Sequence, residues 1–271
     1  MTSPHQSAEQ LLERASAWWS TAIIDIRPGV IRPRGRPIEQ LIGTTSYAEM
    51  VWLMLRGEPP RPGQAALLEA ALVAAVDHGP QAPSIAVARM AASCGLPLNG
   101  AMASAINTLD DVHGGAGEQC LALYWRALEL AQDGDLAQGA RQALQEQRAE
   151  RGRIVPGFGH RFHPVDPRSG PLLGLTEAAA RHGDADGRFV VLGRAMEQAL
   201  AALTGKALPM NIDGATAVVY GALGFPPPLA RGLFILSRSV GILAHAWEQS
   251  QQGQRIKGPM PPDIVYRYTG R

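Results

Sequence analysis

Ile23-Ile24-Asp25-Ile26-Arg27-Pro28-Gly29-Val30-Ile31-Arg32 is the one stretch of this chain with a convincing strand signal. Two short β-branched runs flank a Pro-Gly turn, which reads as a small hairpin. The sequence on either side reads as helix, so the fold class is all-α with one small N-terminal β-hairpin. Upstream, Leu11, Leu12, Ala15, Trp18 and Trp19 recur at helical spacing. Downstream, Ser46-Tyr47-Ala48-Glu49 has capping-box spacing, and the helix it opens stops at Gly57-Glu58-Pro59-Pro60. Further helices are expected over 63–78, 84–94, 100–111, 118–132, 136–150, 172–182, 189–203, 216–223 and 229–249. Residues 155–171 form a Gly/Pro-rich connection, and the tail from 255 onward is Pro-rich and non-helical. The alanines of 84–94 and 100–111 give these helices small faces, suited to close helix packing or to a subunit contact.

Composition excludes several function classes. The 271 residues carry 25 Lys+Arg against 24 Asp+Glu, a formal charge of +1, which argues against nucleic acid as a partner. The 30 Gly and 21 Pro fall in short punctuating clusters, the mark of many connections and not of disorder. Cys94 and Cys120 are too few for a disulfide framework and read as reduced, buried thiols. No run reaches the roughly 18 uninterrupted apolar residues of a membrane span. The best candidate, 232–247, is broken by Arg238 and His245. The polar first ten residues lack the pattern of a secretory signal, so a cytoplasmic location without membrane contact is expected.

Chemistry gathers where polar residues meet glycines. His78 lies in Asp77-His78-Gly79, His113 precedes Gly114-Gly115-Ala116, and His160 follows Gly157-Phe158-Gly159. Glycine at such boundaries lets backbone and ligand come close. Asp213, in Asn211-Ile212-Asp213-Gly214, stands just before an expected helix, where a plain N-cap is the ordinary reading. Taken singly, each histidine reads as a hydrogen-bonded helix-end residue. No metal site is expected: His160 and His163 are three apart, but no Cys or paired acid completes a ligand set.

Taken in order, these segments resemble citrate synthase and its relatives. The matching stretches are Asp77-His78-Gly79, His113-Gly114-Gly115-Ala116, Val155-Pro156-Gly157-Phe158-Gly159-His160-Arg161, Asp166-Pro167-Arg168, Asn211-Ile212-Asp213 and Phe234-Ile235-Leu236-Ser237-Arg238. Softer similarity runs from about Thr21 to the closing Tyr268-Thr269-Gly270. The resemblance implies a two-domain helical fold, with a large domain over 1–113 and 221–271 and a small one over 114–220. It implies a homodimer that makes or breaks a carbon–carbon bond between the acetyl group of acetyl-CoA and a 2-oxo acid. Asp213 matches the base at the acetyl methyl, His113 the donor to the enolate oxygen, and His160 the group that handles the alcohol proton. Arg168 and Arg238 match carboxylate-binding arginines, and His78 an additional donor. The resemblance also implies an arginine from the partner subunit's tail, with Arg255 the first candidate and Arg267 the second. It places Val155, Gly157, Phe158 and Gly159 along the adenine of coenzyme A, with Arg161 and Lys206 toward its phosphates. Coenzyme A enters as a thioester substrate, and no tightly bound cofactor is expected.

The chain departs from the usual synthase pattern in instructive places. It is shorter than typical synthases, and Asp110-Asp111-Val112 stands where Gly-Pro-Leu is often found. Gly117 replaces the usual Asn, and Gly214 replaces the aromatic or alanine common after the acid. Short length with Asn211-Ile212-Asp213-Gly214-Ala215 looks more like citryl-CoA lyases, which cleave citryl-CoA to acetyl-CoA and oxaloacetate. Citrate synthase, or a synthase for a related 2-oxo acid, is the alternative. A non-catalytic CoA-binding regulatory dimer is the third reading.

Overall fold

A computed structural model describes residues 8–161 and 163–270. The chain divides into two compact units, one ending at Ala65 and the other beginning at Ala66.

The first unit contains α1 (Ala8–Trp18), the hairpin β1 (Ile24–Arg27) and β2 (Val30–Pro33), α2 (Ile38–Leu41) and α3 (Tyr47–Arg56). The hairpin is antiparallel, with Ile24 opposite Pro33 and Arg27 opposite Val30. Gly29 takes the positive φ, +76°, that its two-residue turn requires. The expected capping box is formed: the Glu49 N–H donates to Ser46 Oγ at 3.2 Å, and the Ser46 N–H donates to Glu49 Oε2 at 2.7 Å. At the other end of α3, Arg34 donates from Nε and Nη2 to the Met54 carbonyl, at 3.0 and 2.6 Å. A cation there both satisfies an orphan acceptor and suits the negative end of the helix.

The helix α4 (Pro62–Ala74) crosses from one unit to the other. The second unit continues with α5 (Pro83–Ser93), α6 (Leu98–Ile106), α7 (Ala116–Leu130), α8 (Leu136–Arg151), α9 (Ser169–Arg181), α10 (Arg188–Thr204), α11 (Ile212–Ala222) and α12 (Pro227–Gln251). Its centre is α11, whose residues Gly214 through Ala222 are all buried. A helix apolar on every side must be wrapped, and α7, α9 and α10 do so. The small faces of α5 and α6 are used within the chain: Ala88, Ala101 and Ala105 are fully buried against Ile242 and Ala246 of α12.

Three local expectations need correction. Cys120 is buried, but Cys94 is exposed, because it caps α5 where the helix meets the surface turn at Gly95. The helix expected to reach 111 ends at Ile106, freeing the following residues to form the turn that carries His113. The helix expected from 216 starts at Ile212 with Asn211 as its N-cap, so Asp213 lies inside the first turn and is not the cap. In length and mean hydropathy (1.2 over 18 residues) α12 would pass as a membrane span. It packs instead on α5, α6 and α7, with Ser237, Arg238 and Gln249 among its buried residues.

Candidate active site

The connection 155–168 is laced to the start of α11. Gly159 N–H donates to the Pro209 carbonyl at 2.8 Å, Asn211 N–H to the Gly157 carbonyl at 3.0 Å, and Asn211 Nδ2 to the Gly159 carbonyl at 2.7 Å. Asn211 Oδ1 accepts from the Asp213 and Gly214 N–H groups at 2.9 and 3.2 Å, which caps α11. The two strands of chain pack without side chains between them. A Cβ at Gly214 would lie 2.3 Å from the Gly157 carbonyl oxygen, and one at Gly157 would lie 2.5 Å from Cys120 Sγ. Gly157 also holds φ at +87°. This contact explains why glycine stands after Asp213 in this chain.

Asp166 locks the next piece. Its side chain is fully buried and accepts from the Arg168 guanidinium at 2.9 and 2.8 Å, from the Arg168 N–H at 3.1 Å and from the Ile212 N–H at 2.9 Å. Burial pushes its carboxyl up, but these donors outweigh burial and hold it down at about 2. One carboxylate therefore fixes the Arg168 fork and ties it to the first turn of α11, the turn that carries Asp213. Asp213 itself has a carboxyl pushed above its ordinary range by burial, against the opposing pull of Arg238 and Arg168. The positive field of Arg238 and Arg168 also reaches His78.

Arg238, on α12, is a buried cation with no carboxylate within ion-pair distance among the described residues. Its Nε donates to the Ala75 carbonyl at 3.2 Å, and its guanidinium carbon lies 4.9 Å from the centre of the Phe234 ring. A buried guanidinium in this state is a ready receiver for an anion.

The three histidines converge here. His78 and His160 stand edge to face with ring centres 5.5 Å apart, and His160 and His163 are 4.6 Å apart. Burial lowers the pKa of His78 first, and Arg168, Arg238 and His160 lower it further. His113 is lowered by burial, then by Arg238 and His78. Its tautomer follows from geometry: the Ser84 N–H, in the first turn of α5, donates to His113 Nε2 at 3.1 Å. That nitrogen must be bare, so the neutral ring carries its proton on Nδ1. In His160 the assignment is opposite. The His163 N–H donates to Nδ1 at 3.1 Å, leaving the proton on Nε2.

His78, His113, His160, Arg168, Asp213 and Arg238 thus share one cluster. Arg161 and Lys206 are exposed at the surface, and Arg255 and Arg267 lie in the exposed tail beyond α12. Val155 and Gly157 are buried, and Phe158 is paired with Met210 in an isolated bridge. Sequence reasoning missed Ser84 and Asp166 as parts of the site. Asp166 carried a legible signal, an acid two residues before an arginine across a proline, whereas Ser84, which meets His113 Nε2 with both its N–H and its hydroxyl at 3.1 Å, lies 29 residues from it with no motif to mark the pairing.

The citrate synthase C-terminal domain family matches residues 34–260. The chain belongs to the citrate synthase family. It is similar to citrate synthase of Haloferax volcanii, 33% identical over 229 residues that make up 83% of this chain and 55% of that protein. The chain therefore spans about half the length of the curated relatives it matches. Among solved structures it resembles citryl-CoA lyase from Hydrogenobacter thermophilus, with a TM-score of 0.82 and 28% identity over 93% of this chain and 95% of that one. It also resembles citrate synthase from Pyrobaculum aerophilum, with a TM-score of 0.63 and 25% identity over 83% of this chain and 55% of that one. The all-helical class with one hairpin, expected from sequence, is the fold of these enzymes.

Proposed function

We propose that this family member cleaves citryl-CoA to acetyl-CoA and oxaloacetate through an enolate. The observation that carries this reading is the backbone likeness, with a TM-score of 0.82 to the citryl-CoA lyase against 0.63 to the synthase. The cluster supplies the parts the reaction needs. Arg168 and Arg238 grip substrate carboxylates, and His78 adds a donor beside them. His160 takes the proton of the tertiary alcohol, and the carbon–carbon bond to the acetyl unit breaks. Its electron pair flows into the thioester carbonyl, and the resulting enolate oxygen is held by the Nδ1–H of His113. Such a donor is worth ~3–4 kcal/mol of barrier. Protonated Asp213 then gives its proton to the enolate carbon, and its burial favours that protonated start. To accept at Nε2, His160 must move its own proton to Nδ1, so the His163 N–H contact has to open.

The homodimer, the partner subunit's tail arginine, the cytoplasmic location and the coenzyme A contacts of Val155, Gly157, Phe158, Gly159, Arg161 and Lys206 belong to the same proposal. The small domain over 114–220 is part of it as well.

One observation favours condensation of acetyl-CoA with oxaloacetate as the second reading. The proton on His160 Nε2 is placed as a donor, the form that polarises a 2-oxo carbonyl. Incubation with citryl-CoA, run beside acetyl-CoA plus oxaloacetate, separates the two. The lyase reading expects acetyl-CoA and oxaloacetate from citryl-CoA with no free thiol. Free thiol released from acetyl-CoA plus oxaloacetate, and from citryl-CoA by hydrolysis to citrate, would replace it with the synthase. Coenzyme A binding with no turnover in either direction would support a non-catalytic dimer.

A further inference from the structure

We propose that His245 is a positioning residue: wedged as a neutral imidazole between Arg89 and Asp77, it fixes the turn that presents His78 to substrate. The proposal rests on the reading of His78 as a substrate-binding donor. His245 lies on α12 with its side chain 19% exposed. Its Nδ1 is 3.1 Å from Arg89 Nη1. A guanidinium only donates, so Nδ1 is bare and the ring's proton sits on Nε2. That N–H faces Asp77 Oδ2 at 3.3 Å. The same Asp77 oxygen accepts the Gly79 N–H at 3.1 Å, closing the Asp77-His78-Gly79 turn in which Gly79 holds φ at +80°. The carboxylate is thus held from both sides of His78, by its own turn and by α12.

The other end of the relay is equally fixed. Arg89, on α5, pairs with Glu248 of α12 and donates from Nη2 to Gln252 Oε1 at 2.9 Å. Its side chain is 12% exposed, so it cannot swing freely away from His245. The backbone adds a second anchor one turn before His245. The Gly241 N–H reaches the Val76 carbonyl at 3.1 Å, and a Cβ at Gly241 would stand 2.3 Å from that oxygen and 2.9 Å from Asp77 Oδ1. Arg238, Gly241, His245 and Glu248 recur at spacings of three and four, so one face of α12 carries the buried guanidinium, both anchors and the counter-ion of Arg89. The helix α5 is the common reference. Ser84 sets His113 from its first turn, and Arg89 sets His78 through His245 and Asp77. Two imidazoles on different loops are thereby held in one frame, the kind of support by which a site keeps its geometry.

The test compares His245→Leu with His245→Gln in the full chain, because a Gln amide nitrogen can reach the place of Nε2 and donate to Asp77. His245→Leu is expected to raise KM for citryl-CoA and oxaloacetate by about tenfold with kcat changed less than about threefold, and to leave KM for acetyl-CoA alone. His245→Gln should recover most of that loss. A merely structural role predicts lower thermal stability in both variants with KM unchanged, and that pattern would overturn the proposal. Nitrogen-15 NMR of the imidazoles gives a readout that does not depend on turnover. In the wild type His245 should carry its proton on Nε2 at pH 7.5, and His245→Gln should keep the His78 signals where His245→Leu moves them. A doubly protonated His245, a proton on Nδ1, or His78 signals unmoved in His245→Leu would each overturn the relay. If the wild type turns over neither substrate pair, the functional reading fails while these NMR outcomes still decide the coupling. Should His245→Leu not fold, the wild-type tautomer and the His245→Gln kinetics decide it.

Discussion

Asp213 carries the sharpest expectation at the scale of one residue. Because Asn211 and not Asp213 caps α11, Asp213→Asn leaves the cap intact. Burial raises the Asp213 carboxyl in the folded chain above its unfolded value. The folded state therefore binds its proton more tightly than the unfolded one, and ionised Asp213 works against folding at neutral pH. That penalty is present above the folded pKa and disappears as pH falls below the unfolded value near 3.8. Asp213→Asn should then be no less stable than the wild type at pH 7–8, with any advantage closing as the pH falls toward 4, read as Tm against pH. Turnover should drop by roughly 10²–10⁴ in either direction, together with exchange of the acetyl-CoA methyl protons into deuterated water. Wild-type turnover in Asp213→Asn would remove the enolate mechanism as a whole.

Two glycines of α12 separate packing from propensity at the scale of an element. Gly232 is exposed with open space where a Cβ would go. Gly232→Ala should stabilise the chain by up to about 1 kcal/mol, the helix preference of alanine over glycine. Gly241→Ala gains the same preference, yet its methyl would sit against the Val76 carbonyl. Backbone cannot rotate away as a flexible side chain can, so this substitution should cost about 1–3 kcal/mol net. It should also weaken binding of the 2-oxo acid, because the displaced segment carries His78. Urea denaturation and calorimetric titration of the two variants check both signs, and equal stability would mean that the 76–78 segment yields without cost.

The whole molecule leaves an apolar stripe uncovered. Leu236, Val240, Leu243 and Trp247 are exposed along one side of α12, at helical spacing. The small faces of α5 and α6 are spent inside the chain, and this stripe offers the proposed homodimer apolar surface to bury. Light scattering at micromolar concentration should give twice the mass of one chain, and Val240→Asp should shift it toward the monomer. A monomeric wild type would discard the dimer and, with it, the partner subunit's tail arginine.

Periodicity, caps and punctuation are local, and they were sufficient for the hairpin, the capping box at Ser46 and the order of the helices. The ordered motifs, together with the resemblance they carry, named His78, His113, His160, Arg168, Asp213 and Arg238, which the fold brings into one cluster. The sequence could not reveal which atoms hold those side chains. Ser84 meets His113 Nε2 with its N–H and its hydroxyl across 29 residues, a pairing that no local pattern marks. Asp166 could be read as a neighbour of Arg168, but its bond to the Ile212 N–H spans 46 residues. Asp77 and His245 lie 168 residues apart and meet only because Gly241 lets the 76–77 backbone approach α12. Cys94 and Cys120 both sit in helical, alanine-rich surroundings, and only packing makes one exposed and the other buried. Residue type and spacing determined which groups this protein has for its chemistry. Tertiary structure decided their protonation and aim, because both depend on donors and burial contributed by distant parts of the chain.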